Sequence, residues 1–260
     1  ARFPGGPLPP KKERLMCYDI QQMGDKIRRQ AERQLGVEKV DFGQMEFQFF
    51  HVSGFSHPSV LAVTSDQPRL LHPLRWGLIP SWVRTPEEAS RISRQTLNAR
   101  NDGVFSKPSF RSAIRQRRCL IPVNGFFESR EINGKKFPYF IHPPDDNVFW
   151  LGGIWENYVD PSTGEVLQTC SIITTEANDF MAHIHNVKLR MPLVLPEAAL
   201  ALWLDTSLPA EDIQSLMTPY SGEMQAHTVS RLVHRKRDNT NIPEVAQAFR
   251  YPELEYIDGQ

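Results

Sequence analysis

The chain reads as a single α+β domain with mostly antiparallel sheets and peripheral helices. Three observations predict this. Short apolar runs punctuated by Gly, Pro and Asn fill the middle of the sequence, as strands in sheets do. These runs do not alternate regularly with helical patterns, which argues against a doubly wound parallel sheet. A length of 260 residues, 40% of them hydrophobic, suits one domain with a sizeable core.

Taken in order, residues 1–16 are rich in Pro and Gly and lack the apolar centre of a signal peptide. They read as a leader, a tag remnant or a misassigned start, with the domain over 17–240 and a C-terminal extension over 241–260. Ile20, Met23, Ile27, Ala31 and Leu35 recur at helical spacing and Gly36 supplies a stop, so a helix is expected over 20–35. Strands are expected over 47–52, 60–63, 70–79, 119–123, 139–142, 148–155, 169–174 and 191–195. Asn133-Gly134 is the dipeptide of a tight hairpin turn. Helices over 196–204 and 210–216 precede a last strand near 225–229.

Composition excludes several classes. The 30 basic and 30 acidic residues cancel, so a polyanion site must be a local patch rather than a basic coat. No apolar run approaches the roughly 20 residues of a membrane helix. Cys17, Cys119 and Cys170 form no Cys-x-x-Cys pair, which argues against a disulfide scaffold or a structural zinc site and fits a reducing, cytoplasmic setting.

Cys17 follows Met16 directly. If translation starts at Met16, loss of that methionine leaves an amine and a thiol on neighbouring carbons of residue 17. Such a 1,2-aminothiol condenses with an aldehyde to an imine and then closes a five-membered thiazolidine ring. An ordinary buried cysteine after a methionine is the competing explanation. In Arg75-Trp76-Gly77-Leu78-Ile79-Pro80-Ser81-Trp82, a punctuated turn between two indoles could present one for stacking on a base, although the core is the common place for a tryptophan. Asn98-Ala99-Arg100 offers an amide to orient an amine and a guanidinium to hold a phosphate. Two basic runs follow, Lys107, Arg111, Arg115, Arg117, Arg118 and later Arg231, His234, Arg235, Lys236, Arg237. Either is an ordinary solvated face or part of a groove that tracks phosphates.

Pro122-Val123-Asn124-Gly125-Phe126-Phe127-Glu128 reads as a strand running into a Gly turn, and sets a carboxylate among aromatic groups. Desolvation there would raise its pKa toward neutrality, as suits a general acid/base; a structural carboxylate paired with an arginine is equally natural. Within His183-Ile184-His185-Asn186, one imidazole could move protons near neutral pH. The His-x-His spacing also suits a metal, but no further ligand set is apparent, and no cofactor is expected.

In order along the chain, these segments resemble the SRAP family, the SOS-response-associated peptidases also described as abasic-site processing proteins. The matching elements are Met16-Cys17, Arg75 to Trp82, Asn98-Ala99-Arg100, Lys107-Pro108-Ser109-Phe110-Arg111, Arg117 to Pro122, Gly125-Phe126-Phe127-Glu128, Pro138-Tyr139-Phe140, Ile184-His185, Arg190-Met191-Pro192 and Val229-Ser230. The resemblance implies a compact β-rich domain with a basic groove for single-stranded DNA carrying abasic sites, acting as a monomer. It implies that Cys17 cross-links to the ring-opened aldehyde, that Asn98 positions its amine, and that Glu128 and His185 transfer protons. The same residues would remove a leader autocatalytically. Arg100, Trp76, Trp82, Lys107, Arg111, Lys188 and Arg190 are the implied DNA contacts.

Four segments depart from the family pattern: Tyr18-Asp19 in place of Gly-Arg, His51 to Phe55 in place of an Asn-Val-Ala-Pro-like segment, Ser129 in place of Trp, and a longer connection, 186–189, before Arg190. The alternatives are a cysteine peptidase acting in trans and a non-covalent single-stranded DNA-binding module.

Overall fold

The computed structural model describes residues 18–43, 46–145, 147–235 and 238–254. Cys17, Lys236 and Arg237 lie outside the described residues. The chain begins with strand β1 (Asp19–Met23), passes directly into helix α1 (Gly24–Leu35), and continues through β2 (Lys39–Val40), β3 (Gln48–Ser53), β4 (Ser59–Thr64) and β5 (Gln67–Trp76). After α2 (Pro86–Ser93), β6 (Asn98–Arg100) and α3 (Ala113–Gln116) come the long strands β7 (Arg118–Val123), β8 (Gly125–Ile132), β9 (Lys135–His142), β10 (Phe149–Val159) and β11 (Val166–Glu176). Then follow α4 (Asp179–Ile184), β12 (Arg190–Pro192), β13 (Val194–Leu195), α5 (Glu197–Leu204), α6 (Ala210–Ser215) and β14 (Gln225–Thr228).

Two sheets result. One is antiparallel, in the order β14-β9-β8-β1-β3. The other runs β12-β11-β10-β7-β4-β5-β2, and a parallel pairing of β5 with β11, Thr169 opposite Arg75 and Cys170 opposite Trp76, closes its middle into a barrel. The fold is therefore α+β with mostly antiparallel pairing, as its sequence predicts.

Strand β7 of the barrel is apolar on both faces because both are covered. In β7, Leu120 joins a core shared with α1 and α5, while Cys119, Ile121 and Val123 join a second core against the five-stranded sheet. Strand alternation sends neighbours to opposite sides, so residues 119–123 form an unbroken apolar run. The second core also holds Ile20, Phe126, Met181 and Ile184, and so glues β1, β8 and α4 together.

The helix expected over 20–35 begins only at Gly24. Ile20 belongs instead to β1, where it pairs with Val52 and Phe126. Gln22 is buried there, and its amide bonds to the backbone of Leu61 and Pro122. A period-2 strand and a period-3.6 helix abut without a break, so Ile20 and Met23 fall in phase with the helix by coincidence. The glycine turn expected ahead of Glu128 also differs in kind, because Gly125 opens strand β8. A Cβ there would lie 2.4 Å from Phe140 Cζ and 2.6 Å from the Ile141 carbonyl oxygen. Asn133 and Gly134 do form the β8–β9 turn, with φ of 50° and 75°. Residues 241–254 pack onto the outer face of the five-stranded sheet, where Val245 is buried and the Tyr251 hydroxyl donates to the Val229 carbonyl at 2.9 Å. Among the described residues no helix is long and apolar enough to cross a membrane.

Gly125→Ala is expected to lower unfolding stability by about 1–3 kcal/mol, because the new methyl group meets a backbone carbonyl that cannot swing aside. Chemical denaturation checks this; unchanged stability would show that β8 and β9 can separate locally.

Candidate active site

Glu128 and His185 meet where β8 and α4 pack. Asn178 caps α4, its Oδ1 accepting from the Met181 N–H at 2.8 Å while its Nδ2 donates to the Tyr220 carbonyl at 2.7 Å. Met181 and Ile184 anchor the helix in the core, which leaves His185 at its C-terminal end, facing β8. His185 Nε2 lies 3.8 Å from Glu128 Oε2, and both side chains are almost wholly buried.

His185 Nδ1 is 2.8 Å from the Arg190 carbonyl oxygen. A carbonyl only accepts, so Nδ1 carries the hydrogen and Nε2 is the nitrogen turned to the carboxylate. The 3.8 Å separation is longer than a hydrogen bond, so the carboxyl and the imidazole stand as neighbouring acid/base groups rather than as a bonded pair. Such a unit suits the delivery and recovery of a proton. His183 is exposed whereas His185 is buried, so the His-x-His imidazoles do not share one environment.

Asn98 is buried on β6, opposite Ile172 of β11, with Arg100 opposite Thr174. The same end of β11 pairs with β12 through Thr174–Pro192 and Glu176–Arg190, and leads directly into α4. Asn98 and His185 are therefore mounted at one end of one strand. Asp19 lies opposite Phe127, so the chain reaches β8 one residue from Glu128. Tyr18 precedes it, with its ring 4.5 Å from that of Phe55.

The expected DNA contacts separate into outward and inward groups. Arg100, Lys107 and Arg111 are exposed, Trp82 is 46% exposed, and Lys188 is half-buried in the connection after His185. Arg100 is held bidentately by Asp102, Nε to Oδ1 at 3.0 Å and Nη2 to Oδ2 at 2.5 Å. That pairing holds the Asp102 carboxyl below the usual carboxylate range.

Two expectations are corrected. Trp76 is wholly buried where the barrel closes, with Gly54 against its ring and its Nε1 donating to the Leu97 carbonyl at 2.8 Å, so it offers no face to a base. Arg190 is buried too. Its guanidinium donates to Glu176 Oε1 at 2.9 Å, Asn101 Oδ1 at 3.1 Å, the Thr174 carbonyl at 2.5 Å and Thr174 Oγ1 at 3.1 Å, and so staples β6, β11 and β12 instead of meeting a phosphate. The first basic run also splits. Arg118 is buried on the carbonyls of Trp203, Ile114, Arg115 and Asp205, and Arg117 pairs with Glu156 at 2.7 Å. Arg115 remains exposed. In the second run, Arg231 lies over the rings of Phe137 and Tyr251, and Arg235 pairs with Asp238.

Sequence reasoning gave no positioning role to the residues that hold the site. Asn101 binds Arg190 and also donates to Thr175 Oγ1, Glu176 Oε2 and the Met217 carbonyl. Asp19 faces His51 at 3.3 Å, and His51 Nδ1 meets Thr240 Oγ1 at 2.7 Å. Only the Asn-x-x capping position of Asn178 carried a local signal.

The sequence model of the family described as SOS response associated peptidase (SRAP) matches residues 16–236. An abasic site processing protein of Bacillus subtilis, YoqW, is 34% identical over 217 residues, covering 79% of this chain and 92% of its own length. The abasic site processing protein HMCES of Gallus gallus is 32% identical over 193 residues, 66% of this chain and 56% of its own. A crystal structure of a protein from Bacteroides thetaiotaomicron superposes with a TM-score of 0.81 at 34% identity, covering 90% of this chain and all of that one.

The contrast between the two arginines is measurable. Arg190→Leu is expected to cost about 1–3 kcal/mol of stability by stripping buried acceptors of a charged donor. Arg100→Ala, at an exposed pair, should cost at most about 1 kcal/mol. Urea denaturation of both variants checks this, and equal losses would refute the division of roles.

Proposed function

Since the chain belongs to the SRAP family, the SOS response associated peptidases, we propose that it processes abasic sites in single-stranded DNA by forming a covalent thiazolidine cross-link through Cys17. The observation that carries this reading is the buried Glu128–His185 pair, set beside the strand that receives the chain just after Cys17. Relatives bearing the name abasic site processing protein supply the substrate class.

The chemistry balances with these groups alone. An abasic sugar opens when its ring oxygen gains a proton and its C1 hydroxyl loses one, an exchange that a neighbouring carboxyl and imidazole serve from one position. The α-amine of Cys17 adds to the aldehyde and water leaves, giving an imine. The thiol then adds across the C=N bond, forming the S–C bond and returning its proton to nitrogen. A terminal amine has a pKa of about 7.7–8.0, so a useful fraction is neutral at pH 7. Asn98 accepts a hydrogen bond from that amine and holds it in place. Residues 1–16 must be absent for this, because an amide nitrogen does not form imines, and the same residues would cleave that segment autocatalytically. Arg100, Lys107, Arg111 and Lys188 attract the phosphates, and the protein acts as a monomer on DNA in the cytoplasm.

Protein beginning at Cys17 should give a band with abasic single-stranded DNA that survives boiling, and none with intact DNA. Cys17→Ala should abolish it, and Cys17→Ser should leave only a reducible imine. Equal adduct from Cys17→Ala, or an efficient cross-link in protein whose intact mass still includes residues 1–16, would sink the mechanism. A peptidase acting in trans or a non-covalent binder gives no such band.

Glu128→Gln keeps the shape of the side chain but cannot shuttle a proton. It should slow adduct formation by about 10²–10⁴-fold with DNA affinity within a few-fold. Single-turnover gels and anisotropy titrations measure the two separately; loss of binding with an unchanged rate at saturation would make Glu128 a structural residue.

A further inference from the structure

We infer that the connection 186–189 is an apolar wedge that packs Val187 and Leu189 against the nucleobase next to the abasic site; the inference rests on the function proposed above. The connection lies beside the proton-transfer pair, between His185 and Arg190. It is fixed at several points. The Leu189 N–H donates to the His185 carbonyl at 3.0 Å, and the Ala177 N–H donates to the Leu189 carbonyl at 2.9 Å. Asn186 exchanges two bonds with the backbone of Glu131, three residues beyond Glu128: its Oδ1 accepts from the N–H at 3.0 Å and its Nδ2 donates to the carbonyl at 2.9 Å.

This rigid support presents aliphatic groups to solvent. Val187 is 60% exposed and Leu189 is 51% exposed. Leu189 also sits in the left-handed region at φ 51°, where glycine or asparagine is more at ease. Burial does not account for a leucine there, and neither does backbone preference. Strain of this kind, held by surrounding bonds beside a reaction centre, points to a role in binding. The ligand class follows from the chemistry. A strand that lacks one base exposes the faces of its neighbours, and those faces are apolar whatever the sequence. Aliphatic side chains are the groups proteins insert at unstacked base steps. Lys188, between the two, brings the positive charge that the adjoining phosphate attracts.

The test uses Val187→Ser/Leu189→Asn in protein beginning at Cys17, since asparagine keeps the left-handed conformation. Affinity is read by anisotropy on a short single strand carrying a tetrahydrofuran abasic analogue, which has no aldehyde and forms no adduct. The double variant should bind about ten-fold more weakly, with an unchanged melting temperature and a cross-linking rate on true abasic DNA within a few-fold at saturation. On a second strand with tetrahydrofuran on both sides of the central one, wild type should fall to the level of the variant, and the variant should fall no further. Unchanged affinity, or equal losses by both proteins on the second strand, would overturn the wedge. So would a change of oligomeric state at equal DNA affinity, which would assign the face to a second copy. Val187→Ser alone keeps the test if the double variant unfolds. Failure of the proposed function is a separate result: wild type then gives no adduct on true abasic DNA.

Discussion

Arg190 acts on the site from both ends of its own structure. Its guanidinium ties Thr174, Glu176 and Asn101 together, fixing the end of β11 against β6 and β12. Its carbonyl accepts from His185 Nδ1 and so decides which imidazole nitrogen faces Glu128. A buried charge held by this many acceptors is costly to displace, which makes the tautomer of His185 a property of the sheet. Asn98, one strand away, is set by the same strand pairing. The placement of Asn98 and His185 and the tautomer of His185 therefore depend on one arrangement.

The electrostatics follow the neutrality of the chain. With equal numbers of acidic and basic residues, no broad positive field draws a polyanion. Basic residues take separate roles instead. Arg118 and Arg190 are interior staples, Arg100, Arg117 and Arg235 are paired with carboxylates, and Arg100, Lys107, Arg111 and Arg115 face outward. The outward-facing group spans residues 100–115, from the last residue of β6 through a turn-rich stretch into α3. Charge near the site is thus local, and the guanidinium of Arg100 is oriented by Asp102.

The start of the chain and the segment around β3 are coupled in space. Tyr18 packs on Phe55, and Asp19 faces His51, so the start of the chain meets residues in and after β3. Thr240 and Asn241 complete this arrangement from the C-terminal segment, Asn241 Oδ1 accepting from the Phe50 N–H at 2.7 Å. The start of β1 is held by aromatic packing and a carboxylate–imidazole contact, and the far end of the chain takes part in holding it.

Sequence alone determined the fold class, the Asn133-Gly134 hairpin and most of the strands, because alternation, apolar runs and turn residues act over a few neighbours. It also marked Glu128, among aromatic groups, and the His183-Ile184-His185 stretch as candidates, without choosing between the two imidazoles; only the fold sets His185 beside Glu128. It misjudged Ile20 and Met23, where a strand flows into a helix and both periods fit for a few residues. It could not separate Arg100 from Arg190, or Trp82 from Trp76, since the members of each pair are alike in residue type and nothing local sets their burial. Tertiary structure decided these. The parallel closure of β5 on β11 buries Trp76, and the meeting of β6, β11 and β12 buries Arg190. Burial is set by which distant strands come to lie on either side of a residue, and that information is spread along the whole chain rather than held in any one segment of it.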